Sequence, residues 1–198
     1  MPLAGRPMVE WSIAALRAAA GVRSIVVACP PGHVHELGGH DLGVVEGGAT
    51  RSQSVANALE AVGTELVAIH DAARPLVTPE LVEGVVATLA ADSEAAGAIA
   101  ATPVSDTIKR ANGVVEETLD RNGLWAAQTP QVFRTDALRA ALAGDPEAIT
   151  AATDEAMLVE AAGGRVLVYP APPENLKVTT PLDLRLAELL LEERPRAA

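Results

Sequence analysis

Glu65-Leu66-Val67-Ala68-Ile69-His70-Asp71-Ala72-Ala73-Arg74-Pro75 decides the fold. The run over 65–69 is too short to show a helical period and reads as a strand buried on both faces, of the kind found in parallel sheets. In open parallel sheets, ligands bind just past the carboxyl ends of strands. Here that point carries an acid, two small residues, an arginine and a proline. Asp71 can hold a metal ion or a hydroxyl, Ala72 and Ala73 let a ligand come close, and Arg74 can grip a phosphate. Pro75 fixes the direction in which the chain leaves. This is the layout of a ligand site rather than of a packing site.

Outward from that point, strands and helices alternate. Met8 to Ala20 has apolar residues at helical spacing and stops before Gly21. Arg23 to Cys29 reads as a buried strand, ended by Pro30-Pro31-Gly32, and Leu42 to Val45 as a short one. A helix is expected from about Ser52 to Val62, and another from about Thr78 to Ala90, with Thr78 as N-cap and Pro79 at the first helical position. Ala96 to Ala101 is a further strand, which completes a parallel α/β pattern. Then the pattern changes. Two β-prone runs, Asp106 to Arg110 and Val114 to Leu119, flank Asn112-Gly113, a strong hairpin signal. The hairpin is polar and is expected to project from the body. Trp125 to Phe133 looks extended, Thr135 to Ala143 and Asp154 to Ala162 read as helices, Arg165 to Tyr169 as a strand, and Pro181 to Glu193 as a closing helix.

Bulk properties narrow the classes of function. A chain of 198 residues buries roughly 70% of its unfolded surface, enough for a substantial core. With four aromatic residues in all, that core is built from Ala, Val, Leu and Ile, which suits helices layered on a sheet. A lone Cys29 excludes an internal disulfide and fits a reducing cytoplasm. No signal peptide is visible, and no apolar run reaches the ~20 residues that span a bilayer. A net charge of −11 argues against a nucleic-acid surface but not against a small phosphorylated ligand, because local geometry and a divalent cation outweigh the global field at short range.

Several other segments carry groups suited to chemistry, and each has a plainer reading beside it. Gly47-Gly48-Ala49-Thr50-Arg51-Ser52-Gln53-Ser54 is either a turn with a serine cap or a loop that holds an anion or a base. Arg121, beside Asn122 and Gly123, can grip a phosphate or close the base of the hairpin with a salt bridge. Gln128-Thr129-Pro130-Gln131 offers hydroxyl and amide groups in an extended segment or is an ordinary connector. Thr153-Asp154-Glu155 is a good helix start. Lys177, between Leu176 and Val178, can neutralise a phosphoryl group or snorkel at the surface. His33, His35 and His40 lack the spaced partners of a zinc site, and His70 reads as a satisfied histidine at a strand end.

In this order the segments resemble one family. Gly-Gly-x-x-Arg-x-x-Ser-Val at 47–55, His-Asp-Ala-Ala-Arg-Pro at 70–75, Pro-Val-x-Asp-Thr-x-Lys at 103–109, Asp-Arg-Asn-Gly-Leu-Trp at 120–125, Gln-Thr-Pro-Gln at 128–131, Thr-Asp-Glu at 153–155 and Asn-Leu-Lys-Val-Thr at 175–179 are similar to the 2-C-methyl-D-erythritol 4-phosphate cytidylyltransferases. The resemblance covers nearly the whole chain. It implies a Rossmann-like, mostly parallel sheet with helices on both faces and a projecting β-hairpin arm at about 104–126, all within a single nucleotidyltransferase domain over 1–198. It implies attack of the phosphate of methylerythritol phosphate on the α-phosphate of CTP, with Mg2+ assisting and pyrophosphate leaving, in non-mevalonate isoprenoid synthesis. Such transfer rests on positioning and charge neutralisation.

By the same resemblance, Gly48, Ala49 and Ser54 are expected at the nucleotide base, Ala72 near the ribose, and Arg51 among the nucleotide-binding residues. Asp71, Arg74, Thr107, Thr129 and Lys177 are expected on the methylerythritol phosphate or the reacting phosphates. Lys177, Asp71 and Arg121 take catalytic roles, and Asp71 is the metal ligand. The arm implies a homodimer in which Arg121 and Thr153 belong to a site shared between subunits. The family also begins with a strand and a glycine-rich triphosphate loop ahead of the segment matched by Pro2 to Met8. The sequence is therefore expected to be N-terminally truncated by roughly 25 residues, with little cytidylyl transfer of its own. Ribitol phosphate is the runner-up substrate, and a non-catalytic dimerising or binding fragment is the alternative from another class.

Overall fold

A computed structural model describes residues 1–37 and 42–194 of the protein. The chain starts with a tight reversal, Pro2–Leu3 (β1) against Arg6–Pro7 (β2), turned through Ala4 and Gly5, both at positive φ. Helix α1 follows over Met8–Ala18, then strand β3 over Ile25–Cys29, a short 3-10 turn at Val34–Leu37 and strand β4 over Leu42–Glu46. Helix α2 spans Arg51–Leu59, strand β5 Leu66–Ile69, helix α3 Pro79–Ala90 and strand β6 Gly97–Pro103. The arm is β7 (Lys109–Ala111) with β8 (Val115–Thr118). The chain then forms β9 (Trp125–Arg134), α4 (Thr135–Leu142), α5 (Pro146–Ala151), α6 (Glu155–Ala161), β10 (Val166–Pro170) and α7 (Pro181–Glu193).

The caps follow the expected chemistry. Thr78 Oγ1 accepts from the Leu81 amide at the start of α3, with Pro79 in the first turn. Thr180 and Asp183 form a reciprocal capping box at α7. At the tip of the arm, Gly113 takes φ +77°, a region other residues enter only at a cost. The arm is exposed along its length and paired only with itself. Four short elements were absent from the expectations: β1, β2, the 3-10 turn at Val34–Leu37 and α5, a helix begun by Asp145 and Pro146, each too brief to leave a period in the sequence.

The sheet pairing corrects the reading of the central strand. β6 and β10 run parallel, as do β3 and β4. The stretch expected only to be extended, β9, lies between β5 and β6 and runs antiparallel to both. So β5, expected in a parallel environment, has an antiparallel partner. It is also half-buried rather than buried on both faces. Its second edge pairs with no strand among the described residues, and neither does the outer edge of β3. A cavity of about 520 Å³ lies between those two edges, lined by Ile25 and Val26 on one side and by Leu66 to Ile69 on the other.

Alternation along the strands still builds a core on each face of the sheet. Leu66 and Ala68 pack with Ala98, Ala100 and Val132 beneath α1 and α3, where Val82, Val85 and Leu89 are buried. Val67 and Ile69 pack with Ile99 and the fully buried Phe133 beneath α2, α4 and α6. Helices therefore cover both faces, and the architecture is the expected Rossmann-like α/β layering. A third cluster joins Leu3 and Leu76 to Val178 and Ala187 of α7. It anchors the segment that delivers Lys177. No helix among the described residues is long and apolar enough to cross a membrane.

Candidate active site

At the carboxyl end of β5 the chain turns through Asp71-Ala72-Ala73-Arg74, closed by the Arg74 amide donating to the Asp71 carbonyl at 2.9 Å. The Asp71 carboxylate is held on both sides. Its Oδ1 accepts from Arg51 Nε and Nη2 at 3.2 and 3.1 Å, and its Oδ2 faces Lys177 Nζ at 2.8 Å. Its backbone amide donates to Thr129 Oγ1 at 3.0 Å. Thus α2, β5, β9 and the loop before α7 each bring one polar group to a single point. Asp71, Arg51, Lys177, Ser54 and Ala72 line one cavity of about 410 Å³, which also reaches Ser12 and Ala73.

The electrostatics follow from this packing. Burial pushes the Asp71 carboxyl up, but the Lys177 hydrogen bond and the Arg51 charge more than offset it, so the group lies below its ordinary value and is ionised. Burial would lower the Arg51 guanidinium, yet the charges of Glu155 and Asp71 raise it. Glu155 lies beneath, fully buried, and Arg51 Nη1 bonds its Oε2. Burial dominates there and holds the Glu155 carboxyl above its ordinary value, with Arg51 opposing. The four charges alternate in sign from Glu155 through Arg51 and Asp71 to Lys177.

A second layer fixes the first. His70 is driven down to about 4 by burial, so its imidazole is neutral at pH 7. Its Nε2 lies 3.1 Å from the Arg74 carbonyl, and its Nδ1 lies 3.1 Å from Thr129 Oγ1. With the proton on Nε2, the Thr129 hydroxyl donates to Nδ1 while accepting from the Asp71 amide, and every donor in the chain finds an acceptor. The histidine is thus satisfied on both nitrogens, as the sequence suggested. The fully buried Asn175 donates through Nδ2 to Gln128 Oε1 and to the Thr129 carbonyl, at 2.7 and 2.9 Å. Arg74, expected on a phosphate, donates through Nη1 to the Asn175 carbonyl at 2.8 Å. It braces the loop that carries Lys177.

Of the glycine loop and the helix start that follows it, Arg51 and Ser54 line the cavity, and Gly48 and Ala49 are tied to that helix start by hydrogen bonds. The Gly48 amide donates to Ser54 Oγ at 3.0 Å, and the Ala49 amide to Gln53 Oε1 at 3.0 Å. A Cβ on Gly48 would fall 2.2 Å from Cγ of Gln53, so glycine is what lets this loop fold onto the start of α2.

The remaining expected residues stand apart from this cluster. Thr107 and Arg121 are exposed at the base of the arm, where Arg121 Nη1 bonds the Ser105 carbonyl rather than an acid. Thr153 is exposed, just before Asp154, the N-cap of α6. His33 and His35 join no group of three or more metal-capable side chains among the described residues, and His40 lies outside them. Asp71 is the one acid lining the cavity among the described residues. A divalent cation here would find a single protein carboxylate and would complete its shell from phosphates and water, the usual preference of Mg2+.

Reasoning from sequence missed three partners: Glu155, Asn175 and Gln128. Each lay inside a quoted motif, but a buried polar residue betrays itself only through what it meets.

Comparison with known proteins agrees with this geometry. A family profile described as "IspD: 2-C-methyl-D-erythritol 4-phosphate cytidylyltransferase" matches residues 1–193. A protein of that name from Cereibacter sphaeroides is 48% identical over 200 residues, covering 96% of this chain and 86% of that protein. One from Bordetella petrii is 43% identical over 194 residues, covering 94% and 86%. The crystal structure of 2-C-methyl-D-erythritol 4-phosphate cytidylyltransferase from Thermus thermophilus superimposes with a TM-score of 0.85 at 38% identity, covering 96% of this chain and 92% of that one. With the profile spanning nearly all of its length, the chain belongs to the 2-C-methyl-D-erythritol 4-phosphate cytidylyltransferase family, a family of nucleotidyltransferases.

Proposed function

We propose that this protein serves cytidylyl transfer from CTP to 2-C-methyl-D-erythritol 4-phosphate in isoprenoid synthesis, using the cavity at the end of β5. The observation that carries the reading is the meeting of Asp71, Thr129, Arg51 and Lys177 at one point, beside a glycine loop that can take a base. A phosphate oxygen of the polyol attacks the α-phosphorus of CTP, a P–O bond forms, and pyrophosphate carries away the electron pair. Lys177 is the cation best placed to follow the charge: its side chain is 43% exposed and its ammonium is paired with Asp71 at the cavity wall. It can exchange Asp71 for a phosphate oxygen. Asp71 then keeps Arg51 and stays ionised. Because the Gly48 and Ala49 amides are engaged within their loop, their carbonyls are the groups left to accept the exocyclic amine of cytosine. Asp71 would be the protein ligand of Mg2+, which would supply further charge neutralisation.

Arg121, Thr107 and Thr153 act in this reading from a second subunit, docked through the arm. The exposed Val114, Val115 and Trp125 support a dimer of that kind. The buried Cys29, the one cysteine of the sequence, supports a cytoplasmic setting.

The test is calorimetric titration with methylerythritol phosphate and with ribitol 5-phosphate, followed by 31P NMR of each with CTP and Mg2+, with and without EDTA. Binding of methylerythritol phosphate that is lost in Lys177→Ala is expected, with any pyrophosphate release abolished by EDTA. Preference for ribitol phosphate, or indifference to both polyols, overturns the assignment.

A further inference from the structure

Glu155 is the one charged side chain that is fully buried among the described residues. It sits in the first turn of α6, next to Ala156, Leu158 and Val159, which belong to the apolar cluster against Phe133. Its Oε2 meets Arg51, and its Oε1 has no hydrogen-bond partner. An acid in that place is not explained by stability. Taking a carboxylate out of water is costly, and an apolar residue of similar volume often serves a core as well or better. The geometry of Arg51 offers a different explanation.

A guanidinium is a rigid planar fork, so fixing one of its nitrogens fixes the directions of the others. Nη1 is committed to Glu155, and the edge formed by Nε and Nη2 then points at Asp71 Oδ1. Arg51 is about one-third exposed, and the cavity it lines is the one proposed to receive phosphates. A mobile arginine in that position would leave Asp71 for an incoming anion, in competition with Lys177. The bond to Glu155 is what ties it to the core.

We propose that Glu155 is a positioning residue: it pins Arg51 from inside the core, so that Asp71 stays fixed with Oδ2 outward and Lys177 alone is released to the ligand phosphate. The pinning is a property of the protein without ligand. Its consequence for phosphate binding rests on the function proposed above.

The two alternatives for Glu155 predict opposite signs. If Glu155 contributes only charge, its neutralisation leaves Arg51 to Asp71 alone, and that pair tightens. If Glu155 positions Arg51, neutralisation loosens the pair. The readout is solvent exchange of the Arg51 Nε proton by NMR near pH 6, in the wild-type chain and in Glu155→Gln. Because a buried amide can disturb packing, Glu155→Leu is measured in parallel, and the backbone amide spectrum checks the fold of each. Exchange about tenfold faster in a folded variant is expected, together with methylerythritol phosphate binding weakened about tenfold by calorimetry. Unchanged or slower exchange overturns the proposal. Faster exchange with unaltered binding overturns the link to the ligand. Faster exchange in a chain that binds no polyol phosphate even as wild type upholds the pinning and rejects the function instead.

Discussion

In the body of the molecule, Arg51 divides its donors between Glu155 and Asp71, and each of those acids is tied to a different element of the fold. In the arm, Arg121 donates to a single backbone carbonyl, that of Ser105, on an exposed surface. The same side chain is held at three donors in one region and at one in the other. A group whose partners are set before binding spends little ordering entropy when a ligand arrives. An exposed group on a hairpin acquires its geometry only from what it docks against. In the proposed reading the body therefore carries both stability and affinity in the same residues, while the arm separates them.

Lys177→Ala is the severest way to try to break this contrast. It removes the one cation of the cluster with freedom to move, and methylerythritol phosphate binding or turnover is expected to fall about 100-fold or more. If Arg121→Ala costs as much in the monomer, the distinction between the regions is wrong. Acid titration comes next. The folded His70 holds its proton only below about pH 4, against 6.5 ordinarily, so the unfolded chain binds the extra proton between those values. Its contribution is complete above pH 6.5 and is withdrawn as pH falls toward 4, on the order of 3 kcal/mol. Urea unfolding of the wild type and of His70→Gln across that range is expected to show the slope in the former and a flatter profile in the latter.

Asn175→Ala sharpens the comparison from within the body. It leaves Gln128 Oε1 and the Thr129 carbonyl without their donor, and it is expected to cost about 2 kcal/mol in denaturant unfolding. The smallest effect is expected in the arm. Arg121→Ala should alter unfolding free energy by less than about 0.5 kcal/mol. Replacing Lys109–Thr118 by a short glycine-serine turn should leave the body folded and, if the arm makes the dimer proposed above, shift sedimentation from dimer to monomer. A large loss of stability from either change would mean that the arm is part of the core.

The layering of the fold and the place of the site were legible because they follow from local pattern. The apolar run before Asp71 marked a strand end, Thr78-Pro79 marked a helix start, and Asn112-Gly113 marked the hairpin, all as observed. Asp71, Thr129 and Lys177 were expected together and are found in contact or in sequence through hydrogen bonds. The direction of β9 was hidden because an extended segment has the same alternation whichever way its neighbours run. The brace at Asn175 and the anchor at Glu155 were hidden for a related reason: a polar side chain has no meaning until its partner, 46 or 104 residues away, is known. Arg74 was expected to face a phosphate and instead holds a carbonyl, a choice that sequence chemistry leaves open.

The two facing strand edges of β3 and β5 have a consequence of their own. Edges normally occur at the rim of a sheet, where charges and bulges discourage intruders. Here they border a trench inside the molecule, walled by Val26, Leu66 and Ala68, with Arg23 and Glu65 as the charges along it. Among the strands of the body, amide protons on those unpaired edges should be the first to trade with deuterium. The trench is also where a stray extended chain would find bonding partners on both flanks at once, so association at high concentration is best followed in the body through the amides of Ile25–Cys29 and Leu66–Ile69.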